Sequence, residues 1–103
     1  MGYKLIVSKE AHEDVDEIAG YIAHELKNMA AASGFLDDVE KSYRSLTENP
    51  RLFALCDDAR LQREGYRKAV IKNYLVLYRI DEEKKAVYVV RVVYGPRNYP
   101  ELL

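Results

Sequence analysis

Two adjacent segments of alternating side chains, with a tight break at Lys72-Asn73 between them, constrain the fold of this chain most strongly. In residues 65–71 and 74–80, apolar and aromatic side chains alternate with basic ones. Successive side chains of a β-strand point to opposite faces of the sheet. The pattern therefore predicts two paired strands with one face toward a core and a second face that carries positive charge.

The first half of the chain predicts one more strand followed by two helices. Residues 3–7 alternate, and Ser8 after them is a suitable helix N-cap. Apolar side chains then recur at steps of three and four over residues 11–26 and again over 32–46, which is the spacing of amphipathic helices. The first helix is predicted to end near Lys27-Asn28. Asn49-Pro50 ends the second, because a residue before proline avoids the helical region.

The second half predicts a meander of three strands. Residues 86–94 are rich in β-branched and aromatic side chains and form the last strand, after a turn at 81–85. Residues 51–64 are irregular, and the tail from 97 to 103 is too short for an element of its own.

The predicted order of elements is therefore β-α-α-β-β-β. The short connection between the helices predicts an antiparallel helical hairpin. Packing of this hairpin on one face of an antiparallel sheet gives an α+β two-layer sandwich. With 103 residues, the chain is expected to form a single domain over residues 1–103.

The net charge of −1 conceals an uneven distribution of charge. Residues 1–50 carry five basic and ten acidic side chains, whereas residues 51–103 carry eleven basic and seven acidic ones. The second half, with a net charge of +4, suits an acidic partner. From composition alone, a solvated basic surface, a nucleic-acid site and a protein-docking site all remain open.

Several classes of site find no support in the sequence. Cys56 is the only cysteine, which excludes an internal disulfide and predicts a buried structural thiol. His12 and His24 are twelve residues apart on one helix, too far to share a ligand, and are expected at the surface. We expect no metal and no cofactor.

The N-terminus shows no apolar signal region, so a cytoplasmic location is expected.

Basic side chains of the sheet remain as candidates for a site. Alternation predicts that Arg79 and Arg91 lie on one side of the sheet together with Arg67. Arginine and lysine can bind and polarise a phosphate group without a metal. Cleavage of RNA additionally needs groups that accept and donate a proton. Glu64 or a tyrosine would serve, but the spacing selects neither.

In its element order and motifs, the chain resembles the RelE/ParE superfamily of toxins from bacterial type II toxin–antitoxin modules. The resemblance extends over nearly the whole chain and rests on the order and spacing of four motifs. These are Tyr-x-Leu-x-Val-Ser-x-x-Ala at residues 3–11, Gly65-Tyr66-Arg67-Lys68, Leu75-Val76-Leu77-Tyr78-Arg79-Ile80, and Arg91-Val92-Val93-Tyr94-Gly95-x-Arg97-Asn98. In that superfamily RelE-like members cut mRNA in the ribosome, whereas ParE-like members bind DNA gyrase and stall it.

Position by position, the resemblance favours ParE over RelE. Arg67 and Arg97 match two of the five groups that the RelE-like pattern implies. Leu75, Ala69 and Leu103 occupy the positions of two basic residues and a tyrosine. Loss of cationic phosphate ligands removes the charge stabilisation that cleavage requires.

The resemblance thus implies a growth-inhibiting, plasmid-stabilising toxin that binds gyrase and is neutralised by a cognate antitoxin in a hetero-oligomeric complex, without membrane association. The candidate target-binding residues are Arg67, Lys68, Lys72, Arg79, Arg91 and Arg97. One alternative is a metal-independent, ribosome-dependent mRNA endonuclease that uses Arg67, Lys68, Arg79, Arg97 and Tyr99. Another is a non-toxic relic that only binds its antitoxin. The leading prediction is that the protein is not an enzyme.

Overall fold

A computed structural model describes residues 2–103. Its elements follow the predicted order, with three short helical segments added. They are β1 (Lys4–Val7), α1 (Lys9–Gly20), a π-helical turn (Tyr21–Glu25), α2 (Met29–Glu48), α3 (Ala59–Arg63), β2 (Arg67–Ile71), β3 (Tyr74–Asp81), β4 (Ala86–Tyr94) and a 3-10 turn (Tyr99–Leu102). The α+β class and the helical hairpin are confirmed. Among these residues, no helix is both long and apolar enough to cross a bilayer.

The four strands form one sheet in the order β1-β4-β3-β2. Strands β2, β3 and β4 form the predicted antiparallel meander. Strand β1, however, pairs parallel to β4, so the sheet is mixed rather than antiparallel throughout. The helical hairpin is the long crossover that parallel strands require. Alternation within β1 carries no information about its direction.

Local interactions fix both ends of the first helix. The Ser8 hydroxyl accepts a hydrogen bond from the Ala11 N–H at 2.9 Å, as its predicted role as N-cap requires. At Tyr21 the helix widens into the π-helical turn, and it ends before Lys27, whose φ of 51° is left-handed. The predicted end near Lys27-Asn28 is confirmed, but the change of helical period was not visible in the sequence.

A β-bulge in β4 corrects the predicted arrangement of its side chains. Tyr78 pairs with Val89, but the preceding Leu77 pairs with Arg91, so one extra residue of β4 is accommodated between them. An extra residue shifts the alternation by one position. Val93 was predicted to share a face with Val87 and Val89. Instead, it lies in the hydrophobic cluster on the opposite side of the sheet from theirs.

Two hydrophobic clusters lie on the two sides of the sheet. The larger contains Phe35, Val39 and Leu46 from α2 together with Val76 and Tyr78 from β3. The smaller lies on the other side and contains Cys56, Leu61, Leu77 and Val93, with the C-terminal residues packed against it. We call the side under the helical hairpin the helix-covered face and the other side the open face. The predicted buried thiol of Cys56 is confirmed, as are surface positions for both histidines.

Candidate functional site

The open face of the sheet is only partly covered. Helix α3 and the C-terminal 3-10 turn pack over one part of it, and Arg60 holds that turn by donating to the Pro100 carbonyl at 2.8 Å. Beside this cover lies a groove of about 530 Å³. It is lined by Arg79, Ile80, Asp81, Glu82, Glu83, Tyr88 and Val90. We call it the open-face groove.

Arg79 is the cation of the open-face groove. Its side chain is exposed, and its guanidinium carbon lies 5.0 Å from the centroid of the Tyr66 ring. The ring quadrupole attracts the cation and holds it in place without neutralising its charge. Arg79 is therefore positioned yet still able to pair with an anionic or hydrogen-bonding partner.

Lys68 and Tyr99 lie near each other on the open face, around the buried Cys56. Lys68 is opposite Leu77 in the sheet, and its Nζ pairs with Asp57 at 3.0 Å. That hydrogen bond raises the pKa of Lys68, while burial raises the pKa values of Tyr99 and Cys56. All three groups therefore keep their protons at neutral pH, so none of them is a proton acceptor there.

Arg67 faces away from this site. It lies opposite Tyr78, and its Nη1 donates to the Phe53 carbonyl at 2.7 Å. Directly opposed residues of an antiparallel pair share a face. Since Tyr78 belongs to the helix-covered cluster, Arg67 is on that side of the sheet and not beside Arg79.

Arg91 is bound within the fold. Its Nε and Nη2 donate to the two carboxylate oxygens of Asp14 at 2.7 and 2.8 Å, and the Val92 N–H donates to the same carboxylate at 3.0 Å. This bidentate pair ties α1 to the bulge in β4. The prediction that Arg67, Arg79 and Arg91 share one side is therefore wrong for Arg67, which lies on the helix-covered face. Arg91 lies opposite Leu77 of the open-face cluster, but Asp14 of α1 holds its guanidinium.

Lys72 and Arg97 are exposed at turns near the ends of strands. Lys72 has a φ of 51° in the tight turn between β2 and β3 and lies 3.6 Å from Asp38 of α2. Arg97 follows β4, and no ion pair of its side chain is found among residues 2–103. Of the predicted residues, Lys68, Arg79 and Tyr99 lie on the open face. Arg91 lies opposite Leu77 on the same face, but its guanidinium is bound to Asp14.

Sequence reasoning missed the acidic part of the site. Asp81, Glu82 and Glu83 line the open-face groove beside Arg79, so the face predicted to be basic has mixed charge. Glu82 accepts hydrogen bonds from the Tyr3 hydroxyl at 2.7 Å and from Arg51 at 2.9 Å, which lower its pKa to about 2. The run of charges after β3 is visible in the sequence, but only the structure shows that it lines the groove.

The arrangement favours binding over proton transfer. Arg51 and Lys85 pair with Glu82, so Asp81 and Glu83 are the further carboxylates beside Arg79. A groove of mixed charge suits a polar protein surface better than a phosphate backbone. Among the described residues, no group of three or more histidine, cysteine or acidic side chains is arranged to hold a metal ion.

Comparison with models of protein families shows to which family the chain belongs. The family described as the ParE toxin of a type II toxin–antitoxin system, parDE, matches residues 5–99. The chain belongs to this family. It is therefore a toxin of a type II toxin–antitoxin system within the RelE/ParE superfamily. No significant match is found among curated proteins.

Solved structures from both branches of the superfamily share the fold. A chain of the chromosomal ParDE toxin–antitoxin system from P. aeruginosa superposes with a TM-score of 0.71 at 16% identity, covering 89% of this chain and 95% of that one. A chain of the RelBE2 toxin–antitoxin complex from Mycobacterium tuberculosis gives 0.65 at 23% identity, with 91% and 99% covered. A mutant of the E. coli toxin RelE in the free state gives 0.64 at 18% identity, with 99% and 93% covered. At these identities the likeness concerns the fold alone.

Proposed function

We propose that this toxin inhibits growth by binding a protein target, DNA gyrase, through the open face of its sheet, and that a cognate antitoxin neutralises it. The observation that carries the proposal is the state of the open-face groove. One positioned but unneutralised arginine lies there among carboxylates and a tyrosine. Such a surface suits directional recognition of a protein and not a phosphate backbone.

Three positions at which the RelE-like pattern implies a basic residue or a tyrosine support the same proposal. Ala69 is 1% exposed in the helix-covered core, where a basic side chain would be buried without a partner. Leu75 and Leu103 pack against the smaller hydrophobic cluster. These positions contribute packing, so cation binding would need other residues.

The mRNA endonuclease is retained as a second candidate because Lys68 and Tyr99 lie close together on the open face. Each influences the other's pKa, which places the two groups within electrostatic range. Against this candidate, Lys68 is paired with Asp57, and Arg67 from the same residue set is on the other side of the sheet.

The antitoxin partner is proposed from the relatives and from charge. Similar structures include the intact E. coli RelBE toxin–antitoxin complex. The net charge of +4 in residues 51–103 suits an acidic segment that folds onto the toxin. We expect the protein to copurify in tight 1:1 contact with the product of a small gene upstream, within a larger complex. A failure to copurify from co-expressing cells would contradict this part of the proposal.

Induction in cells separates the candidates. The toxin is expressed alone and together with the neighbouring gene, and growth, cell length, plasmid supercoiling and mRNA 5′ ends are recorded. We expect growth arrest with filamentation and impaired supercoiling, relieved by the neighbouring gene. New mRNA ends within codons would favour the endonuclease. Normal growth of cells in which soluble expression is verified would favour the third candidate, a non-toxic relic that only binds its antitoxin.

A further inference from the structure

A second groove lies at the end of the sheet where the helical hairpin turns, and it shares no lining residue with the open-face groove. Its volume is about 570 Å³. Three large side chains around it are half exposed or more: Tyr21 at 55%, Leu26 at 57% and Tyr94 at 50%. Ile18, Tyr74 and Glu17 complete the lining. Exposed apolar side chains gathered around one concave surface are typical of an interaction site.

The helix side of this groove is formed by the π-helical turn. The Leu26 N–H donates to the Tyr21 carbonyl, five residues earlier, at 3.2 Å. This wider turn brings both side chains to the rim. π-helical turns are rare, and they are frequently found at functional sites.

The sheet side of the groove presents ordered tyrosine rings. Tyr74 and Tyr94 are arranged edge to face with centroids 5.8 Å apart, and Phe35 supports Tyr74 from the core at 5.1 Å. Burial and the neighbouring Tyr94 and Tyr21 raise the pKa of Tyr74, which agrees with three phenol groups close together. The rings are thus held in place before any partner binds, which lowers the entropy lost on binding.

The charge on the lining of this groove is negative. Among the described lining residues, Glu17 is the only charged one, and no ion pair of its carboxylate is found within residues 2–103. The nearby Arg91 is neutralised by its bidentate pair with Asp14. Glu13 and Asp16 are exposed on the same helix. Lys27, which follows Leu26, is exposed as well, so the negative charge is local to Glu17 and attracts a cation that enters the groove beside it.

We propose that this groove binds an arginine or lysine side chain of a partner protein segment, with the cation over the tyrosine rings and beside Glu17. The hydrocarbon part of that side chain, or an apolar neighbour, would pack on Leu26 and Ile18. Several aromatic rings around one position, with a carboxylate at the rim, are the arrangement that binds organic cations. The inference does not depend on which target the toxin inhibits, because the open-face groove is elsewhere.

The proposal is tested with a small cation in place of the partner. Aromatic ¹H–¹³C NMR spectra of the protein are recorded during titration with n-butylguanidinium and, separately, with the neutral isostere n-butylurea. We expect shifts of the Tyr21, Tyr74 and Tyr94 rings with the cation at millimolar concentrations and at least about fivefold weaker binding of the urea. Glu17→Gln should weaken cation binding about threefold, whereas Glu13→Gln, one turn away and outside the groove, should have a smaller effect.

Three results would overturn the proposal. Equal binding of the cation and its neutral isostere would make the groove a purely apolar site. Ring shifts that follow protein concentration without any ligand would indicate that a second copy of this chain occupies it. The third result is unchanged cation binding by Tyr21→Ala, which would locate the cation elsewhere. The amide spectrum of this variant shows whether it is folded, and Leu52→Ala, at a distant exposed position, is its control.

Discussion

Two arginines of neighbouring strands, Arg91 and Arg79, are similar in sequence and opposite in structure. Both alternate with apolar residues. The Arg91 side chain is 20% exposed and forms a bidentate pair with Asp14 of α1, whose side chain is 11% exposed. Arg79 is exposed above Tyr66 on the open face. A guanidinium taken out of water needs a carboxylate, so Arg91 stabilises the fold. No ion pair of Arg79 is found among residues 2–103, and its guanidinium contacts only the Tyr66 ring as a cation.

The largest expected effect is from removal of the carboxylate that pairs with Arg91. Asp14→Ala leaves the guanidinium and the Val92 N–H without their acceptor, and we expect a loss of about 3 kcal/mol in the free energy of unfolding. Urea titration monitored by circular dichroism measures it. Asp16→Ala, an exposed aspartate of the same helix, is the control and should change stability by less than about 0.5 kcal/mol. Equal losses in the two variants would remove the structural role assigned to the pair.

A smaller effect is expected from a hydroxyl on the helix-covered face. The Tyr78 hydroxyl donates to the Pro50 carbonyl at 2.6 Å in a fully buried position, and burial raises its pKa to about 12. Tyr78→Phe should cost about 1 kcal/mol, because the carbonyl loses its partner. Thermal unfolding would reveal it as a lower midpoint. Tyr88→Phe, on the open face, should leave the midpoint unchanged, and a comparable decrease there would contradict the distinction between the two faces.

Loss of Arg79 should affect stability least and function most. Arg79→Ala removes one exposed cation–π contact, worth at most about 1 kcal/mol, yet deletes the only cation among the described residues that line the open-face groove. We expect a soluble, folded protein whose expression no longer arrests growth. Full toxicity at an equal protein level would show that the open face does not act through this residue.

These expectations show what the sequence could and could not predict. The types of the main helices and strands, the Ser8 cap and the alternation within β3 are local properties, and the structure confirms all three. The direction of β1 and the bulge in β4 depend on pairing with distant strands. No local pattern reports them. The predicted cluster of three arginines was wrong because Arg67 lies on the helix-covered face and because Asp14, a residue distant in the chain, holds the Arg91 guanidinium.

The composition of the candidate site was likewise only half predictable. Arg79, Lys68 and Tyr99 were named from the sequence and lie on the open face. Among the carboxylates beside Arg79, Asp81 ends β3, and Glu82 and Glu83 follow in the turn. Contacts with Tyr3 and Arg51, residues far away in the chain, hold Glu82. The distribution of charge along the sequence therefore predicted a basic face, whereas the open face carries both basic and acidic side chains.

The smallest expected effect concerns acid stability at Glu82. Hydrogen bonds from Tyr3 and Arg51 lower the pKa of this carboxyl group from 4.5 to about 2 in the folded state. Its contribution to stability is thus present above pH 4.5 and is lost as the pH falls toward about 2. Glu82→Gln should flatten the dependence of the unfolding midpoint on pH within that window only. An unchanged slope would mean that the contacts do not persist in solution.

The central claim is that the open face recognises a protein and that Arg79 is the charge it uses. The most direct test is the affinity of the refolded toxin for purified DNA gyrase, measured together with inhibition of supercoiling, for the native chain and for Arg79→Ala. We predict binding and inhibition by the native chain and at least about tenfold weaker binding by the variant. Absence of gyrase binding by the native chain, or equal binding by the two proteins, would contradict the account.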